Sequence, residues 1–162
     1  MSAKSDADFM REAIDLSMKS ARVGEAPFGA VIVKDGRIVA RGADRVVRKI
    51  DPTAHAEMIA IRQAASRLKT HDLSGCKIYT SSIPCQMCIE AIKIANIDEV
   101  FYACTTEDII NSSILKKYQH SALVKDKMEI GIPSTNIMRQ EAVESIKIWE
   151  KVTESDNLNK YE

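Results

Sequence analysis

Lys77-Ile78-Tyr79-Thr80-Ser81 and Glu99-Val100-Phe101-Tyr102-Ala103 are two short apolar runs, separated by a segment of helix length that opens at Pro84 and runs to about Ala95. Short runs rich in β-branched and aromatic residues read as strands. Strands joined through a helix lie parallel, because only a tight turn returns the chain antiparallel. Residues 77–103 therefore predict a β-α-β unit within an α/β sandwich. Further toward the N-terminus, residues 30–34 and 37–40 flank Asp35-Gly36, a strong hairpin signal. Asp51-Pro52-Thr53 reads as a helix start, with Asp51 or Thr53 as cap and Pro52 in the opening turn. Met58, Ile61, Ala65 and Leu68 give that helix an apolar stripe predicted to be buried. Phe9, Met10, Ala13, Ile14, Leu16, Met18 and Ala21 recur with helical spacing, ahead of Gly24 and Pro27, which end a first helix. Beyond Cys104 the pattern weakens. A helix over 107–118, a short strand over 137–139 and a last helix through Glu141, Val143, Ile146 and Trp149 are expected there, before a polar tail ending Lys160-Tyr161-Glu162.

The 162 residues suit a single domain, 1–162, and show no repeat, low-complexity tract or internal boundary. An apolar fraction of 45% and a charged fraction of 28% match a folded globular chain rather than a disordered one. Lys+Arg and Asp+Glu both total 23, and zero net charge argues against a dedicated nucleic-acid partner, whose affinity comes mainly from neutralising phosphates. The basic groups Arg45, Arg48 and Lys49, Lys116 and Lys117, and Lys125 and Lys127 read as solvated surface. No apolar run reaches a membrane span of about twenty residues, and the polar N-terminus lacks a secretory signal. Four cysteines, two of them in Cys-x-x-Cys, are too few for a disulfide scaffold and point to a reducing, cytoplasmic setting.

His55-Ala56-Glu57, Pro84-Cys85 and Cys88 carry the chemistry. Cys85 and Cys88 sit three apart at a helix start, so their sulfurs share a face, where the positive end of the helix dipole favours thiolates. With the His55 imidazole they make three ligands for an ion that takes four. A zinc site with an open position is the catalytic arrangement, whereas structural sites are closed. A redox pair would leave His-x-Glu unexplained. A closed site would need Cys76 or Cys104, which read as core residues at strand ends, and His71 and His120 read as ordinary surface or core histidines. Glu57 is not required as a ligand beside two thiolates and is assigned to proton transfer. His-x-Glu followed by Pro-Cys-x-x-Cys is the signature of zinc-dependent deaminases. The backbone N–H of Cys85, at its helix start, is a candidate donor to an oxygen held at the metal.

In these segments, together with Ala26-Pro27-Phe28-Gly29-Ala30-Val31-Ile32-Val33-Lys34-Asp35-Gly36, Asp51-Pro52-Thr53-Ala54-His55-Ala56-Glu57 and Val100-Phe101-Tyr102-Ala103, the chain resembles the cytidine and deoxycytidylate deaminase superfamily, the small guanine deaminases above all. The resemblance implies a three-layer α-β-α sandwich around a mixed five-stranded sheet, and one zinc per chain on His55, Cys85 and Cys88. It further implies Glu57 as proton shuttle, Phe28 against the base, a small-molecule substrate and a homodimer. In such dimers the segment from about residue 140 to 162 is exchanged, which gives Tyr161 a place over the partner's site. Three positions depart from the pattern: Asp44 stands for the usual substrate-gripping Asn, Ile83 for the Glu before Pro-Cys, and residues 111–116 hold no guanine-handling acid, with Glu107 and Asp108 only nearby. An ionised Asp44 accepts hydrogen bonds without donating them, so a substrate edge with N–H donors is expected. The alternatives are a tRNA-specific adenosine deaminase, opposed by the zero net charge, by Phe28 and by the missing Gly-rich stretch after the fourth strand, and a non-catalytic zinc fold, opposed by the intact Glu57.

Overall fold

The computed structural model of the chain describes residues 2–113 and 129–155. The expected hairpin is formed by β1 (Gly29–Lys34) and β2 (Arg37–Ala43), antiparallel, with Asp35 and Gly36 at positive φ of 50° and 71°. That backbone matches strand twist, and Asp-Gly adopts it at low steric cost. β1 also pairs antiparallel with β3 (Cys76–Ser82), β3 pairs parallel with β4 (Glu99–Cys104), and β4 pairs parallel with β5 (Ser134–Asn136). The sheet is thus mixed and five-stranded, in the order β2-β1-β3-β4-β5.

Side chains alternate across it, as the strand period of two requires. Val31, Val33, Tyr79 and Phe101 face α1 (Asp6–Arg22) and a C-terminal helix, Arg139–Ser155, whose Ala142, Ile146 and Trp149 are buried there. Ala30, Ile32, Ile78 and Val100 face the opposite layer, made by α3 (Ala56–Leu68) and α4 (Gln86–Ile94). A short α2 (Val46–Lys49) follows β2, α5 (Thr106–Ile110) follows β4, and the C-terminal helix is α6. The expected sandwich is present, with the N-termini of α3 and α4 on one face.

Several expected details shift. Neither Asp51 nor Thr53 caps α3; His55 is its N-cap, and the Asp51 carboxylate accepts from Thr53 N–H (2.8 Å) and Oγ1 (2.7 Å) in a local turn. The fully buried face of α3 is Ala56, Glu57, Ala60 and Ala64, while Met58, Ile61, Ala65 and Leu68 are half-buried. The reason is close approach: a Cβ on Gly42 of β2 would collide with the Ala56 carbonyl and come within 2.8 Å of Ala60 N. α4 begins at Gln86 with Cys85 as N-cap, so Pro84 precedes the helix. Of the helix expected over 107–118, residues 106–110 form α5, and residues beyond 113 lie outside the described ones. The last strand is 134–136 rather than 137–139. Ile137 N–H still bonds to Tyr102 O (2.9 Å), but Met138 at φ 57° breaks the extended run before α6. Three exposed polar residues gave that edge strand no apolar alternation to reveal it.

The outer edge of β2 is covered from α3: Gln63 Oε1 accepts from Arg41 N–H (2.7 Å), and Arg67 Nη1 donates to Val39 O (3.0 Å). Gly42→Ala is expected to lower stability by about 3 kcal/mol in denaturant melts, since it overpacks backbone against backbone. Gly36→Ala is the control: its φ of 71° costs something, but its Cβ meets nothing within 4 Å. Equal losses in the two variants would contradict the close approach.

Candidate active site

Two helix N-termini meet past the carboxyl end of β3. The backbone of β3 ends at Ser82, Ile83 N–H bonds to Cys104 O (2.8 Å), and Pro84 then delivers Cys85 to the N-cap of α4, with Cys88 in its first turn. His55 holds the same N-cap position on α3. Its Nδ1 lies 3.6 Å from Cys85 Sγ and 3.7 Å from Cys88 Sγ, and all three ligand atoms fall within 4.8 Å of one another. Tetrahedral zinc with Zn–S of 2.3 Å and Zn–N of 2.0–2.1 Å has an S···N edge of about 3.6 Å. The donor set and its spacing therefore fit zinc. Among the described residues neither Cys76 nor Cys104 joins this cluster; both are buried at strand ends. His71 is exposed, and His120 lies outside the described residues.

The sulfurs are poised for a cation. Hydrogen bonds from Cys88 and His55 pull the Cys85 thiol down to about 4, against its burial. Sharing with Cys85, then burial, raises Cys88 well above the usual thiol range. A divalent ion bound there would hold both sulfurs as thiolates and displace any proton they carry. Burial works to lower His55, but the hydrogen bond and charge of Cys85, with Glu57 and Asp44 nearby, leave it raised.

Glu57 is buried in the first turn of α3. Its Oε1 accepts from Thr80 Oγ1 (2.7 Å), and its Oε2 faces Cys88 Sγ at 3.4 Å. Burial raises its pKa, opposed chiefly by the Thr80 hydrogen bond. Sequence reasoning missed Thr80, one of three successive hydroxyl residues that end β3, which nothing in the sequence set apart from Ser81 and Ser82. It also missed Glu25, a buried carboxylate that accepts from Val47 N–H (3.1 Å) and Arg48 N–H (2.8 Å) and so anchors α2 beside Asp44.

Asp44 and Phe28 are adjacent: Asp44 N–H bonds to Phe28 O (3.1 Å), and Phe28 packs against both core layers. Asp44 is 2% exposed and accepts from Val46 N–H (3.2 Å). Burial lifts it to about 7. Near neutrality it is therefore part acid, part carboxylate, and its acid form donates as well as accepts. The expectation that it only accepts holds for the ionised fraction alone. Because the folded pKa exceeds that of the unfolded chain, the folded state holds the proton longer between about 4 and 7 and loses stability as pH rises through that window. Asp44→Asn removes this penalty, whose ceiling is about 4 kcal/mol. It is expected to raise the thermal midpoint at pH 8 and leave it unchanged at pH 4. A gain of equal size at both pH values would count against the buried charge.

Ile83 packs against the α3/α4 layer, in keeping with a packing role in the metal loop. Asp108 is already engaged: it accepts from Arg139 Nε (2.9 Å) and Nη2 (2.6 Å) and from Thr105 N–H (2.8 Å), so it is not a spare acid for substrate. Residues 114–116 of the expected substrate loop, and Tyr161, lie outside the described residues. No helix among the described residues is long and apolar enough to cross a membrane.

Comparison with known proteins agrees with this geometry. Residues 3–104 match the family described as the cytidine and deoxycytidylate deaminase zinc-binding region. The guanine deaminase of Bacillus subtilis is 37% identical over 142 residues, 87% of this chain and 91% of that one. The tRNA-specific adenosine deaminase of Aquifex aeolicus is 40% identical over 95 residues, 59% of this chain and 63% of that one. The X-ray structure of the Bacillus subtilis guanine deaminase aligns with a TM-score of 0.68 at 36% identity, over 91% of this chain and 95% of that one. Fold, metal cluster and kinship thus agree that this chain belongs to the cytidine and deoxycytidylate deaminase family and is a zinc-dependent hydrolytic deaminase.

Proposed function

We propose that the protein hydrolyses the exocyclic amino group from a free purine-like base, guanine being the first to test, and releases ammonia. The observation that carries this reading is the higher identity to a guanine deaminase over the full matched length. The Bacillus subtilis guanine deaminase is 37% identical across 87% of the chain, whereas a tRNA-specific adenosine deaminase of Buchnera aphidicola that spans the same 87% is 32% identical. His55, Cys85 and Cys88 hold the zinc, which when bound supplies a Lewis acid able to lower the pKa of water from 15.7 to about 7. Glu57 takes a proton from the attacking water and gives it to a ring nitrogen, then takes the proton of the added hydroxyl as the carbonyl forms and gives it to the amine, which departs as ammonia. Its raised pKa suits a carboxyl that must both accept and release a proton near neutrality. The Cys85 N–H lies at the mouth of α4, where it can donate to the attacking oxygen. Phe28 and Asp44, adjacent at the head of β1 and the end of β2, receive the ring.

The working unit in this reading is a cytoplasmic homodimer. The chain from about residue 140 is exchanged between subunits, so the contacts that α6 makes with α1 would form between chains, and Tyr161 would approach the partner's site. Light scattering during gel filtration tests the dimer. Ammonia release across aminated purines, pyrimidines, pterins and triazines tests the substrate. Turnover of guanine or a close purine supports the proposal. Activity confined to an RNA stem-loop, falling steeply as salt rises, would favour the tRNA adenosine reading instead.

A further inference from the structure

We propose that Thr80 is the positioning residue that fixes the orientation of the Glu57 carboxyl group, holding Oε1 against the sheet so that Oε2 faces the metal cluster. This rests on the reading of Glu57 as proton carrier and extends it to a residue on another element. Thr80 lies in β3 on the face it shares with Cys76 and Ile78, fully buried, opposite Ala30 of β1 and Tyr102 of β4. Cys76, Ile78 and Ala30 on that face are apolar, and a valine would fill the same volume, so packing alone does not call for a hydroxyl there.

The hydroxyl has one hydrogen and two acceptors in reach, Glu57 Oε1 at 2.7 Å and Ser82 O at 3.1 Å. The shorter bond, to the group that carries charge, is the stronger. Ser82 O lies on the other side and limits how far the rotor can turn away. Oε1 is thereby held against the sheet, and Oε2 is turned toward the metal cluster, where it accepts the longer and weaker hydrogen bond of Cys88 Sγ at 3.4 Å. The carboxyl group thus presents Oε2 beside the metal ligands, on the side where water and the ring nitrogen would meet it. Without the hydroxyl, Oε1 would be buried with no donor from β3, and the carboxyl would be free to turn about its last bond.

Thr80→Val, Thr80→Ser and Glu57→Gln test the assignment side by side. Zinc content is measured by elemental analysis, turnover by ammonia release, and the carboxyl band of Glu57 by infrared difference against Glu57→Gln. Thr80→Val is expected to lower kcat about 10- to 100-fold, as loss of an outer-shell partner does, with KM changed by less than about twofold. Its zinc stays stoichiometric, its Glu57 band shifts, and Thr80→Ser restores both kcat and the band. The assignment is overturned if Thr80→Val turns over like the unaltered protein while Glu57→Gln is inactive. It is equally overturned if Thr80→Val and Thr80→Ser lose zinc or unfold together, which would make the residue structural. Full activity of Glu57→Gln would instead strike at the proton-carrier reading itself.

Discussion

Glu57→Gln is expected to reduce deamination about 100- to 10 000-fold, the range that positioned acid–base groups contribute, while zinc stays bound. Glutamine has the shape of glutamate, and its amide oxygen can still accept from Thr80. What it lacks is the capacity to pick up a proton from water and release it to the ring. The loss should fall on kcat and not on KM, because an interaction used only in the transition state has been removed. Folding should not suffer, since a carboxyl disfavoured by burial is replaced by a neutral group. Ammonia release, elemental analysis and a thermal melt together check the three statements. Unaltered turnover with zinc in place would return the site to a purely structural role.

The second large effect is loss of the metal. Cys88→Ser is expected to lose zinc and at least about a thousandfold in activity, since water without the metal stays far from its useful pKa. The serine hydroxyl is a much weaker ligand than the thiolate, and Cys88 is fully buried, so the change also leaves a poorly partnered polar group in the core. A drop in thermal midpoint should follow, and chelation of the unaltered protein should reproduce both effects until zinc is restored. Cys104→Ser is the informative contrast. Cys104 is equally buried, and its thiol is pushed up to about 12 by burial, but it stands outside the cluster. It should cost some stability and neither zinc nor turnover. The reverse pattern would mean the ligands have been misassigned.

The fold was legible where side-chain period decides it. Alternating apolar residues in β1, β3 and β4 and the helical stripe of α1 each bury the face the sequence expects. Legibility failed where backbone approach decides instead. The buried face of α3 is made of alanines, because Gly42 lets the helix down onto β2, and no apolar stripe announces that. β5 was misplaced by three residues, because an exposed polar strand is recruited by the free edge of β4 and not by its own pattern. The metal cluster was legible for a chemical reason: imidazole and thiolates have few other uses in that order. Thr80 and Glu25 were not, since each is defined by a partner more than twenty residues away. Asp44 was found, but its protonation depends on burial that only the folded chain supplies.

The covering of β2 by α3 has a consequence for self-association. With Arg41 N–H and Val39 O already satisfied by Gln63 and Arg67, a strand from another copy could extend the sheet on this side only by first displacing both side chains. The rim offers little template for edge-to-edge growth. Pairing of two molecules is thereby steered away from this flank and toward helical or loop surfaces, and a dimer that continued the sheet past β2 would require those two side chains to be found turned aside.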